Sequence, residues 1–166
     1  MDLVITPDDP RAADVRALLE RHLAFAREVT PAGHVHALDL DGLLDPVVSF
    51  FAARRDRVLL GVGALKRLDA DLAEIKSMHT AAEARGQGVG RAIVDHLVAV
   101  AAARGHRRVS LETGATEAFV PARALYAAVG FVPCAPFGAY TSNPYSTCMT
   151  LVLSGGTGGG DGAGQR

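Results

Sequence analysis

The chain predicts a mixed α/β sheet containing one parallel βαβ unit, and three observations carry that prediction. A strand-like run, Leu72 to Thr80, leads into the glycine loop Arg85-Gly86-Gln87-Gly88-Val89-Gly90-Arg91, which opens a long amphipathic stretch, Val89 to Arg104. A further strand-like run, Val109 to Thr113, follows that helix and must return parallel to the first, because a helix crosses between them. Earlier strand-like segments are joined by short reversals, which pair neighbours antiparallel.

Taken in order, Leu3 and Ile5 mark a first strand. Pro10 then stands before a helical pattern in which Val15, Leu18, Leu19, Leu23 and Ala26 recur at helical spacing, closed by Pro31 and Gly33. His34 to Leu44 reads either as a short helix or as a loop pinned by its leucines. Val47 to Arg54 and Val58 to Leu68 form a strand pair about a tight reversal at Arg55-Asp56. The helix after the glycine loop buries Ile93, Val94, Leu97, Val98 and Ala101, with Gly105 placed to cap it. Glu117 to Val129 reads as a second helix ended by Gly130, and Phe131-Val132 and Thr147 to Leu153 supply the last strands. The folded domain is expected to span 1–153, with the Gly-rich stretch 154–166 a flexible tail that has no side chains to bury.

Strand, glycine loop and helix in succession aim a helix N-terminus and a row of free backbone N–H groups at one point, an anion site suited to phosphate or pyrophosphate. Glycine at alternate positions permits positive φ and lets the backbone approach a ligand closely. A dinucleotide fingerprint would need a third glycine where Arg91 stands, and the Gly-Lys-Ser/Thr of a P-loop does not occur.

Composition narrows the function classes. The net charge is −1 over 166 residues, which leaves no basic footprint for nucleic acid. No uninterrupted apolar run reaches the length of about 18 residues that a membrane span requires. The segment Met1 to Ile5 lacks the basic and apolar regions of a secretion signal, so a cytoplasmic location is expected. Cys134 and Cys148 stand apart without metal-ligand spacing and are expected to be reduced thiols. His34 and His36 have no Cys or carboxylate cluster to complete a metal site, and no metal is expected.

The loop Arg85-Gly86-x-Gly88-x-Gly90, together with Ala124-Leu125-Tyr126-Ala127-Ala128-Val129-Gly130-Phe131 about forty residues later, resembles the GNAT acetyltransferases. The stretches Leu111-Glu112-Thr113-Gly114, Pro121 to Tyr126 and Gly130 to Cys134 are similar to a bacterial branch that includes the YsnE-like proteins. The resemblance implies the GNAT fold and transfer of an acetyl group from acetyl-CoA to an amine by direct attack in a ternary complex. It places the cofactor on Arg85, Gly86, Gln87, Gly88, Val89, Gly90 and Arg91, and along the exposed backbone of the strand ending at Met78, His79 and Thr80. A backbone N–H near Met78 would face the developing oxyanion. Phe119 stands seven residues before Tyr126, where many family members carry an Asn that touches the cofactor, so that contact is not carried over.

An alkyl amine has a pKa near ~10, so only about one molecule in a thousand is unprotonated at neutral pH and a base is useful. Glu74 matches the catalytic glutamate of the histone-acetyltransferase branch, with Glu112 and His79 as rivals for the same role. Strand alternation puts Glu74, Lys76, Met78 and Thr80 on one face and His79 on the other. Tyr126 matches the family tyrosine that reaches the cofactor sulfur and protonates the leaving thiolate. His34, His36, Glu112, Arg123 and Tyr140 are candidates for the acceptor pocket. A small-molecule amine is the expected acceptor, with no nucleic acid or membrane partner. By analogy with the family the chain is a candidate homodimer. The rival readings are a non-catalytic acyl-CoA-binding sensor and an acetyltransferase of protein N-termini.

Overall fold

A computed structural model describes residues 2–33 and 40–153, so the expectations for His34, His36 and the tail lie outside the described residues. The elements are β1 (Val4–Pro7), α1 (Ala13–Val29), α2 (Leu40–Leu43), β2 (Val48–Arg55), β3 (Val58–Arg67), β4 (Leu72–Thr80), α3 (Val89–Ala103), β5 (Arg108–Gly114), α4 (Val120–Val129), β6 (Val132–Cys134) and β7 (Ser146–Val152). Short 3₁₀ turns at Ala82–Ala84 and Glu117–Phe119 precede α3 and α4. The second of these occupies the first turn of the helix expected from Glu117. The β2–β3 reversal centres on Asp56-Arg57, at φ 52° and 68°, one residue beyond the pair read from the sequence. Two successive positive φ values match the twist of a two-residue hairpin.

The seven strands form one sheet in the order β1-β2-β3-β4-β5-β7-β6. Every neighbouring pair is antiparallel except β4–β5, which α3 joins as a parallel crossover. The final strand β7 inserts between β5 and β6, an order that sequence pattern does not reveal. It also brings together two thiols far apart in the chain, because Cys134 pairs directly with Cys148 across β6 and β7.

Helix α3 packs on one face of the sheet and α1 on the other. Val94 and Leu97 of α3 are 0% exposed, as is Val15 of α1. Glycine lets α3 approach closely: a Cβ on Gly63 would lie 2.6 Å from Ile93 Cγ2 and 2.8 Å from Met78 Sδ. Contact between the Phe51 and His96 rings, centroids 4.7 Å apart, fixes the α3 face.

Strict alternation along β4 fails at one point. Lys76 pairs with Ala64 and His79 with Val62, so Gly63 opposes both Ser77 and Met78, and the register shifts there. Ser77 takes φ 57°, which marks it within a β-bulge. Partners across a ladder share a face, so the bulge returns His79 to the face of Glu74 and Lys76 and turns Met78 toward α3. The expectation that Met78 and Thr80 share the Glu74 face, and that His79 opposes it, is therefore corrected. His79 meets His22 of α1, with ring centroids 5.0 Å apart.

Candidate active site

The glycine loop shapes the start of α3. Gly86 and Gly88 take φ 77° and 80°, and Gly88 is the N-cap of α3. The first main-chain bond of the helix runs from Ala92 N–H to Gly88 O at 3.0 Å. The amides of Val89, Gly90 and Arg91 therefore point out of the helix start, where the helix dipole also favours an anion. Gly90 sits against the neighbouring helix: a Cβ there would come 3.1 Å from Leu125 Cδ2.

The gap between β4 and β5 builds the rest. Their ladder has only four rungs, from Leu72–Arg108 to Ile75–Leu111. Beyond Ile75 the strands part, and a cavity of about 550 Å³ opens between them. Its lining contains Met78, His79 and Thr80 of β4, then Arg85, Gly86, Gly88, Val89, Gly90 and Arg91 of the loop. Glu112 and Thr113 line it from β5, and Leu125 and Tyr126 from α4. Helix α1 supplies His22, Phe25 and Ala26 to the wall.

Tyr126 is 6% exposed and packs edge-on against Phe131, centroids 5.9 Å apart. Burial, reinforced by the nearby Glu112 charge, raises its phenol above the usual tyrosine range. Its phenol is therefore neutral at neutral pH, and it stands on the cavity wall. His79 has the opposite character. Burial, with coupling to His22 and the charges of Arg85 and Arg21, lowers its pKa to about 4, so its imidazole is neutral at neutral pH.

Glu74 lies outside the lining. Its side chain is 4% exposed, and it accepts from Tyr140 Oη at 2.5 Å and Lys76 Nζ at 3.2 Å. Lys76 also donates to Tyr140 Oη at 2.7 Å. A buried carboxylate is tolerated when a cation and a hydroxyl both engage it. Tyr140 is thus a partner of Glu74 and does not line the cavity. Burial and the Glu74 charge hold its phenol well above the usual range. Arg123 is also held elsewhere, donating to Gly114 O at 2.6 Å and Thr116 O at 3.0 Å. Gln87 faces away from the cavity, its amide donating to Glu83 O at 3.2 Å and accepting from Arg55 Nη1 at 3.2 Å. Arg91 lines the cavity and also pairs with Asp95 at 3.2 Å.

Several lining residues carry no motif. His22 and Phe25 come from α1 and Thr30 from its C-cap; the periodicity of α1 marks a buried stripe but not which residues on its flank meet a distant strand. Phe119 lines the cavity and stacks edge-on against Phe25, centroids 5.6 Å apart. Tyr145 enters from the β6–β7 connection, a segment without pattern.

The cavity runs from the start of α3 to Tyr126, and comparison with known proteins decides the family. The profile described as the acetyltransferase (GNAT) family matches residues 15–131. The chain belongs to the GNAT acetyltransferase family. This GNAT chain is 41% identical over 146 residues to a Bacillus subtilis protein named uncharacterized N-acetyltransferase YsnE, covering 88% of this chain and 97% of that one. It is 32% identical over 153 residues to a protein of Azospirillum brasilense named IAA acetyltransferase, covering 92% and 99% respectively. Among solved structures, one named as an acyl-CoA N-acyltransferase of Klebsiella pneumoniae superposes with a TM-score of 0.75 at 26% identity, covering 92% of this chain and 98% of that one. A Bacillus subtilis acetyltransferase in complex with CoA shares the fold, with a TM-score of 0.70 at 17% identity over 92% of this chain and all of its own. The seven-stranded mixed sheet with flanking helices is the GNAT fold.

Proposed function

We propose that this chain moves an acetyl group from acetyl-CoA to the amine of a small molecule by direct attack in a ternary complex. The observation that carries the reading is one continuous cavity that joins the open α3 N-terminus to Tyr126 and Glu112 through the β4–β5 gap. Arg85 and the amides of Val89, Gly90 and Arg91 suit the pyrophosphate. The unpaired edge of β4 from Lys76 to Thr80 suits the amide-rich pantetheine arm.

In the reaction the amine nitrogen bonds to the thioester carbonyl carbon and the carbon–sulfur bond breaks. One proton leaves nitrogen and one reaches sulfur. Tyr126, held protonated by burial, donates to the sulfur. Glu112, which faces the cavity from β5, takes the amine proton. This reading moves the base from Glu74, the residue the family motif marks, because Glu74 is buried against Lys76 and Tyr140. Glu74 then acts as a positioning residue that fixes Lys76 at the cavity wall. Phe25 and Phe119 offer ring edges to the acceptor, which favours an amine attached to an apolar or aromatic body.

Calorimetric titration with acetyl-CoA, beside an Arg85→Ala/Gly88→Glu variant, tests the reading. Micromolar binding that disappears in the variant is expected, followed by thiol release with members of an amine panel. Absence of binding by the unaltered protein overturns it. Glu112→Gln should then lower kcat about 10²-fold or more. A larger effect from Glu74→Gln than from Glu112→Gln would return the base to Glu74.

A further inference from the structure

We propose that Cys134 and Cys148 form a reversible disulfide site whose oxidation state is passed to the cavity through the β6–β7 connection. The effect on catalysis rests on the acetyl-transfer reading above; the thiol pair itself does not.

Cys134 of β6 lies directly opposite Cys148 of β7, and both thiols are free. The backbone at such a pair already meets the separation that a disulfide requires. On its other side Cys148 stands opposite Glu112 of β5, and partners across a ladder share a face. Glu112, Cys148 and Cys134 therefore form one row across three strands, and the row begins at the cavity wall. A second link runs through the chain that joins β6 to β7. The main-chain N–H of Phe137 faces the Cys148 sulfur. Phe137 packs edge-on against Tyr140, ring centroids 5.1 Å apart, and Tyr140 Oη bonds both Glu74 and Lys76. Lys76 lines the cavity, as does Tyr145 at the far end of the same connection.

The oxidant is a small disulfide, which reacts by thiol–disulfide exchange. Cys134 is partly exposed and Cys148 is buried, so the Cys134 thiolate attacks first. A bond forms between Cys134 and one sulfur of the oxidant, and the other half leaves as a thiolate. Cys148 then gives up its proton and attacks the Cys134 sulfur, which releases the second half. Two protein thiols become one disulfide, the oxidant is reduced to two thiols, and the cysteine protons end on them. A dithiol reductant reverses the exchange. Closure draws the Cys148 sulfur toward β6, away from Glu112 and out of line with the Phe137 N–H. Phe137 then loses an anchor, and the Tyr140 ring packed on it loses its seat beside Lys76. The reduced pair holds this wall of the cavity in place, and the disulfide loosens it.

Oxidised glutathione, applied to the unaltered protein and to Cys134→Ser and followed by dithiothreitol, tests the proposal. In the unaltered protein both thiols should disappear, with an intact mass that has lost two hydrogens and carries no glutathione. Chymotrypsin should cut the connection after Phe137 or Tyr140 about threefold faster once the disulfide closes, and at an unchanged rate in treated Cys134→Ser. Formation of the acetylated amine should fall about tenfold in kcat on oxidation and recover with dithiothreitol, while acetyl-CoA affinity stays within about twofold. Thiols that stay free, or a retained glutathione without a disulfide, overturn the proposal. A disulfide that leaves cleavage unchanged also overturns it, as does an equal loss of kcat in treated Cys134→Ser. Faster cleavage with kcat unchanged overturns the link to the cavity. If the unaltered protein acetylates no amine in either state, the acetyl-transfer reading fails by itself, and the cleavage rates decide the thiol site.

Discussion

Tyr126 and His79 face one cavity, and burial drives both toward their neutral forms. In the proposed reaction Tyr126 keeps its proton until the thiolate forms. Tyr126→Phe keeps the ring that packs on Phe131 and should lower kcat about 10²-fold with little change in acetyl-CoA affinity. No alkaline loss of activity from this phenol is expected near ~10, the ordinary tyrosine value, because the shift is upward. For His79 the consequence is a stability gradient. Its pKa falls from 6.5 unfolded to about 4 folded. Between those values the unfolded chain binds more protons than the folded one, so stability rises with pH across the window and falls on acidification. His22, lowered by burial as well, adds to the same slope. Melting temperatures recorded from pH 4 to 7 should climb in the unaltered protein and climb less in His79→Leu.

Elements were legible where one periodicity governed them. Val15, Leu18, Leu19 and Ala26 fall buried on α1 as their spacing requires, and Ile93, Val94, Leu97 and Ala101 do so on α3. The glycine loop was legible for a different reason, since Gly86 and Gly88 take positive φ that few other residues accept. The bulge at Ser77 was not, because nothing in Ile75-Lys76-Ser77-Met78 departs from an ordinary strand composition. That one inserted residue reversed the expected faces of Met78 and His79. Long-range pairing was also hidden: Glu74, expected as the base, is bonded to Tyr140, 66 residues later in the chain. The cysteines make the same point. Cys134 stands directly opposite Cys148 in the antiparallel β6–β7 pair. Directly opposed residues of an antiparallel pair have Cα atoms about 4.5–5.5 Å apart, within the range a disulfide spans. Diamide, which takes up two electrons and two protons, should remove both thiols together, and Cys134→Ser should leave Cys148 free. Burial raises both thiols above their ordinary pKa, so the reaction should quicken with rising pH.

At the scale of the whole molecule, the sheet has a firmly paired half and an open one. From β1 to β4 the strands are joined by antiparallel ladders interrupted only by single register shifts in β2–β3 and β3–β4, and β5 is fully paired with β7 along its length. The two halves meet through four parallel rungs, with α3 spanning the junction. The cavity is what remains where that junction stops, which is why no single segment encodes it. Its walls come from α1, the loop, β5 and α4, brought together by the order of strands.

The four-rung junction also sets how the backbone exchanges its protons with water. Amides of β4 and β5 within the rungs sit among fully buried neighbours such as Ala73 and Val109, so they should exchange only when the sheet itself opens. Amides from Lys76 to Thr80 that face the gap have no partner strand and should exchange on the timescale of local fluctuation. Deuterium uptake should therefore change abruptly along β4 just after Ile75. Adding CoA alone, without any acceptor, should carry the slow zone several residues further toward Thr80. A boundary that stays at Ile75 when CoA is bound would mean that the pantetheine arm does not lie along this strand.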